Sequence, residues 1–209
     1  MSDFNTDKSD KIENKPNIVA IGERVGLTEL DPTMKKMTAG LGWQFKGYDG
    51  EPLDLDVSVF LLDKNDVTRE DDDFIFYNNM TGCGGAVEHM GDNRIGAGEG
   101  DDELIKFDLA NIPFDIVTIL FVITIYQGED KGQDFSGVNS AYLRLFNEES
   151  SREVLRINLD DAELTGGTAL KIAQLERIGP KWELCAVGEV VEGGLKELAE
   201  QYDIEVGEY

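Results

Sequence analysis

Thirteen consecutive residues, Gly91-Asp-Asn-Arg-Ile-Gly-Ala-Gly-Glu-Gly-Asp-Asp-Glu103, carry five carboxylates and four glycines. Glycine takes φ > 0 without steric cost, so a chain punctuated by it can turn sharply and aim carbonyls and carboxylates at one point. The oxygen donors in or beside this run are Asp92, Asn93, Glu99, Asp101, Asp102 and Glu103. Acids held this close repel one another unless a cation neutralises them or water screens them. A cation site and a solvated acidic loop are therefore the two readings. The interleaving of Gly96, Gly98 and Gly100 with the acids favours the first.

A second pair of carboxylates lies upstream in Leu53-Asp-Leu-Asp-Val-Ser58. Aspartate is a poor strand former, yet Asp54 and Asp56 sit inside the clearest alternating run of the chain. Two residues apart on a strand, they share a face at a spacing of about 6.6 Å. They are either polar groups on a wet sheet face or two arms of a cation cage. The remaining ligand inventory narrows the choice of metal. His89 is the one histidine, and Cys83 and Cys185 are far apart and form no C-x-x-C. Zinc, copper and iron–sulfur sites thus lack ligands, whereas hard oxygens suit Ca²⁺. The loop is not an EF-hand, because Arg94 falls on its third position and no helix flanks it. No phosphate-binding G-x-x-x-x-G-K-[ST] and no G-x-S-x-G occurs. His89 reads as a structural support for the loop, and Trp43 and Trp182 as core. Asp71-Asp-Asp73 reads as an exposed turn. Paired acids also allow a second hypothesis, a divalent-metal-dependent enzyme acting on a carbohydrate or nucleotide. A binding role without catalysis is the first.

The elements that must position these groups are mostly strands. The chain has 209 residues, 41% apolar, with 19 basic against 43 acidic side chains and a net charge of −24. That field repels nucleic acid and attracts cations. Residues 1–16 are polar and read as a disordered arm, with no apolar stretch of a secretory signal; residues 17–209 read as one domain. The longest apolar run, residues 116–126, is rich in β-branched residues and predicts a strand buried on both faces. It is far shorter than the ~20 residues of a membrane helix, so a cytoplasmic protein without a transmembrane segment is expected. Residues 141–146 and 154–159 predict a hairpin, and 182–191 another strand, while 171–178 is ambiguous between helix and strand. Leu195, Leu198, Ala199 and Tyr202 recur at helical spacing and predict a short helix near the C-terminus. The fold class expected is an all-β sandwich of two antiparallel sheets with a few short helices.

Gly40-Leu-Gly-Trp43, Asp54-Leu-Asp-Val-Ser58, Asp73-Phe-Ile-Phe-Tyr-Asn-Asn79, His89-Met-Gly-Asp-Asn93 and Gly98-Glu-Gly-Asp-Asp-Glu103 follow one another in the order found in the TerD family, which the chain resembles over residues 40–206. The resemblance implies a bacterial tellurium-resistance or general stress protein that binds one or two Ca²⁺ ions through its acidic loops. It also implies other Ter-type proteins and a membrane partner, with peripheral association at the inner membrane. The ligands it implies are Asp54 and Asp56 together with Asp92, Asn93, Asp101, Asp102 and Glu103. The loop departs from the family pattern where Ile95 replaces threonine and Glu99 replaces aspartate. Gln44 likewise follows Trp43 where aspartate is usual.

Overall fold

The computed structural model describes residues 15–46, 53–91, 100–160 and 164–205. In chain order the strands and helices are β1 (Asn17–Ile18), β2 (Arg24–Gly26), α1 (Leu27–Leu30), β3 (Lys36–Phe45), β4 (Leu55–Leu62), β5 (Phe74–Ile75), β6 (Thr81–Gly82), β7 (Val87–His89), β8 (Glu103–Asp108) and β9 (Thr118–Ile125). They continue with α2 (Gly128–Lys131), β10 (Val138–Asn147), β11 (Arg152–Asp160), β12 (Ala169–Ile178), β13 (Lys181–Val191) and α3 (Leu195–Gln201). One sheet runs β1-β11-β10-β3-β8-β7-β6 and the other β2-β13-β12-β9-β4-β5. The two pack face to face over a core that joins Leu41, Ile105 and Leu143 of the first to Val57, Phe121 and Leu184 of the second.

The alternation of side chains differs between the sheets, and the difference reports what covers each. Along β8 buried and half-buried residues alternate strictly, as they do along most of β10, so the outer face of the first sheet meets water. Along β4 and β9 every residue is buried. Their second face carries Phe60, Leu62, Leu120 and Val122, which pack against Leu198 and Ala199 of α3. The helical spacing of the apolar residues in α3 thus supplies the lid that a strand apolar on both faces requires.

The predicted hairpin is β10–β11, paired from Ser140↔Asp160 to Asn147↔Arg152. The ambiguous segment is strand β12, and both tryptophans lie in the core at 5% exposure. The two-sheet sandwich is as expected, and two details of it are corrected. The first sheet is not wholly antiparallel, because β1 runs parallel to β11. Asp71 and Asp72 are exposed, but Asp73 is fully buried, held by Arg69. Of the two readings for the Asp54–Asp56 pair, a wet sheet face does not describe Asp56, which is 4% exposed and shares a cavity lining with residues of α3, while Asp54 is half-buried. The predicted disordered arm lies outside the described residues apart from its last two. Among the described residues no helix is long and apolar enough to cross a membrane.

Candidate functional site

The acidic segment connects two neighbouring strands of one sheet, and hydrogen bonds fix both of its ends. On the entry side β7 pairs with β8 as far as His89↔Ile105. Met90 N–H then donates to Leu104 O (2.9 Å) and Gly91 N–H to His89 Nδ1 (3.1 Å). On the exit side Asp102 N–H donates to Leu41 O of β3 (2.7 Å). Gly91 and Gly100, one at each mouth, have φ of +107° and +142°, which is the conformational demand that the sequence pattern suggested. Asp92, Asn93 and Glu99 fall between them, outside the described residues.

The three acids of the exit point in different directions. Asp101 lies on the outer face of the first sheet. Arg144 grips it with a fork, Nε to Oδ1 and Nη2 to Oδ2, both 2.7 Å. Tyr142 Oη adds a third donor to Oδ1 at 3.0 Å. Two further charges complete the cluster, since Glu153 accepts from Arg144 (3.0 Å) and from Arg156 (2.6 Å). The hydrogen bonds to Asp101 hold the Arg144 guanidinium above its ordinary range. Burial, reinforced by the Asp101 charge, pushes the Tyr142 phenol up to about 12. Gly40 is the floor of this arrangement. It is directly across from Arg144 and Leu104 in the ladder, and a Cβ there would come within 2.3 Å of Asp101 Oδ2. Gly40→Ala must therefore displace a carboxylate held by three hydrogen bonds. A loss of about 2 kcal/mol is expected, the scale of an overpacked site. Urea denaturation measures it, and wild-type stability would contradict the arrangement.

Asp102 is 8% exposed and its Oδ2 accepts from Trp43 N–H at 3.0 Å. Burial pushes its carboxyl upward; the Trp43 bond opposes this and the neighbouring Asp101 charge adds to it. Glu103 turns inward and is 1% exposed. Its Oε2 accepts from Val57 N–H at 2.5 Å, across the gap between the sheets. His89 Nε2 lies 3.2 Å from Val57 O. Because Nδ1 of that ring accepts from Gly91, Nε2 carries the hydrogen and donates to Val57. Strand β5 pairs with β4 only at Val59 and Phe60. Beyond that point Glu103 and His89 take over the hydrogen bonding that a partner strand would provide. His89 is the structural support that the sequence suggested.

Asp56, across the β4–β9 ladder from Thr124, projects to the opposite side of β4 from this brace. There it lines a cavity with Tyr77, Thr124 and residues of α3. Asp54 precedes the strand, its carbonyl accepting from Tyr126 N–H (2.8 Å). Among the described residues no group of three or more His, Cys, Asp or Glu side chains is placed to hold a metal ion. The donors have the chemistry that Ca²⁺ requires, six to eight hard oxygens. A cage built on them would draw on residues 92–99 to close. Sequence reasoning missed Arg144 and Tyr142, whose link to Asp101 depends on the register of β10 against β3.

The family model described as the TerD domain matches residues 18–202. The chain belongs to the TerD family. General stress protein 16U of Bacillus subtilis (strain 168) is 42% identical over 190 residues, covering 90% of this chain and 98% of that protein. Tellurium resistance protein TerD of Serratia marcescens is 42% identical over 183 residues, covering 88% and 95%. Both are named for resistance or stress, not for an enzymatic activity. The crystal structure of a homologue of telluride resistance protein (TerD) from Streptomyces coelicolor A3(2) superposes with a TM-score of 0.65 at 18% identity, covering 79% of this chain and 95% of that one. The two sheets are thus the TerD fold, and the acidic connection between β7 and β8 is part of the matched TerD domain.

Proposed function

We propose that this TerD-family chain serves tellurium resistance and stress response by binding Ca²⁺ rather than by catalysis, in the cytoplasm. The observation that carries the calcium reading is the mounting of the acidic loop. Asp101, Asp102 and Glu103 are each fixed to a different part of the sandwich, and His89 fixes the other end. A loop whose two ends are already fixed to the sandwich pays less ordering cost when it closes on a cation than one whose ends are loose. Asp102 adds to the argument, because a carboxyl pushed upward by burial has a charged form that the fold disfavours. A bound cation would neutralise that charge and the ones around it. The ligands would come from Asp92, Asn93, Glu99, Asp101, Asp102 and Glu103, with Asp54 and Asp56 as the second cluster for a further ion. The names of the relatives support the stress and resistance role.

Thermal melts of the full chain with Ca²⁺ and with a chelator test this. A ligand bound only by the folded state stabilises it by about 2.7 kcal/mol at a hundredfold excess over Kd, so the calcium melt should lie several degrees higher. Asp102→Asn keeps an oxygen for Trp43 and removes the disfavoured charge. It should raise the chelator melt and shrink the calcium increment. Coincident wild-type curves in the two buffers would end the calcium reading.

A further inference from the structure

Among the described residues no three acids are gathered to hold a metal ion, and the three acids at the exit of the loop are held apart by different partners. Those partners differ in what a release would cost. Asp102 and Glu103 accept from main-chain amides, those of Trp43 and Val57, through hydrogen bonds that are themselves buried. A buried amide that gives up its acceptor is expensive. The bonds to Asp101 come from side chains instead, and each of these has a second acceptor at hand. Arg144 Nη1 already rests on Glu153 Oε2 at 3.0 Å, and the guanidinium lies over the Phe146 ring, 5.3 Å from its centroid. The Tyr142 hydroxyl, which carries one hydrogen, stands 3.0 Å from Gly100 O as well as 3.0 Å from Asp101 Oδ1. Gly100, immediately before Asp101 at φ +142°, is a backbone joint that a larger residue would stiffen. Of the three acids, Asp101 is the one built to move.

We propose, resting on the calcium reading of the loop, that Arg144 competes with Ca²⁺ for Asp101 and thereby sets the affinity of the loop for the ion. In the structure the guanidinium is the counter-ion of Asp101, with both arms of its fork at 2.7 Å. To join its neighbours around an ion, Asp101 gives up this fork. Arg144 then falls back on Glu153, and Tyr142 turns its hydrogen to Gly100 O. Asp102 N–H, on Leu41 O at 2.7 Å, keeps the exit of the loop in place meanwhile. No group is orphaned, so the exchange costs the difference between two sets of hydrogen bonds rather than the whole of one. The apparent calcium affinity is reduced by the fraction of chains in which Asp101 is free of Arg144, and loss of the guanidinium lifts that reduction. Ion binding also releases one side of Arg144 on the outer face of the first sheet, beside Phe146.

Calorimetric titration of Ca²⁺ into the full chain tests this, in about 0.15 M salt, where long-range attraction is screened. Arg144→Met should tighten calcium binding about tenfold, the scale of one hydrogen bond to a charged group. It should also lower the Tm in chelator, because Asp101 and Glu153 lose a partner. An arginine of purely structural value would lower stability and affinity together. Arg144→Lys keeps the charge but cannot make the fork, and should tighten binding about threefold. That separates competition from the removal of a positive charge in a −24 chain. Lys106→Gln removes a charge from the same outer face, where Lys106 pairs with Glu148, and should change the affinity by no more than about twofold. In a ¹⁵N spectrum of the wild type, the Arg144 Nε–H signal, identified by its loss in Arg144→Lys, should shift and exchange faster with water as calcium saturates. If Arg144→Met fails to fold, Arg144→Lys and that spectrum carry the test. A wild type that binds no calcium removes the calcium reading and the competition together. A wild type that binds calcium overturns the competition alone if Arg144→Met and Arg144→Lys bind no tighter, or if the Nε–H signal stays unmoved at saturation. Equal tightening by Lys106→Gln also overturns it, since charge alone would then account for the effect.

Discussion

Asp73→Ala should lower the stability of the chain by about 3 kcal/mol or more, the cost of breaking a buried ion pair from one side. Asp73 is fully buried. Its carboxylate accepts from Arg69 three times, from the backbone N–H at 3.1 Å, from Nε at 2.8 Å and from Nη2 at 2.8 Å. The remaining arm of the guanidinium reaches Asp115, which is 65% exposed at the side chain and correspondingly screened. Removal of Asp73 therefore leaves a largely buried cation with two weak partners, Asp115 and Cys83 Sγ, and an unmet backbone donor. Asp71 and Asp72, identical in chemistry and adjacent in sequence, are exposed. Their alanine variants should fall within about 0.5 kcal/mol of wild type. The double change Arg69→Ala with Asp73→Ala should recover part of the loss, because deleting both charges is milder than orphaning one. Urea midpoints for the four variants decide the matter. A loss for Asp73→Ala no greater than that for Asp71→Ala would refute the assignment.

The same triplet marks where sequence reading stops. Three consecutive aspartates carry no local signal that separates the buried one from its neighbours. The distinction comes from Arg69, four residues upstream, whose guanidinium closes on Asp73 and not on its neighbours once the fold buries the pair. Strands β4 and β9 were legible because dense β-branched and apolar runs require cover on both faces, and α3 because its apolar residues recur at helical spacing. That the helix covers those particular strands depends on tertiary packing, not on period. The acidic loop was legible as a unit from its glycines and carboxylates. The divergence of its last three acids was not. Asp101 finds Arg144 only through the pairing of β3 with β10, and Glu103 finds Val57 only through the stacking of the two sheets. A register shift of one residue would turn each of them to the other face. Gly40 illustrates the same limit, since a glycine legible only as part of a motif proves to be the space that Asp101 fills.

Glu103→Ala should cost about 3 kcal/mol even in a chelating buffer, the scale of a lost hydrogen bond to a charged acceptor. Glu103 is 1% exposed and its Oε2 receives Val57 N–H at 2.5 Å. Alanine would leave that amide buried at a point where β5 does not reach and no sheet neighbour can accept it. The His89 contact with Val57 O would lose its companion across the same residue. Glu103→Gln keeps an oxygen that can receive Val57, so it should retain most of the chelator stability. The calcium increment then separates the two roles of this side chain. Participation in ion binding would make Glu103→Gln lose calcium-dependent stabilisation while its chelator melt stays near wild type. A brace with no such part would leave the increment intact in Glu103→Gln and lower both melts equally in Glu103→Ala. Chelator stability of Glu103→Ala equal to wild type would remove Glu103 as the link between the sheets.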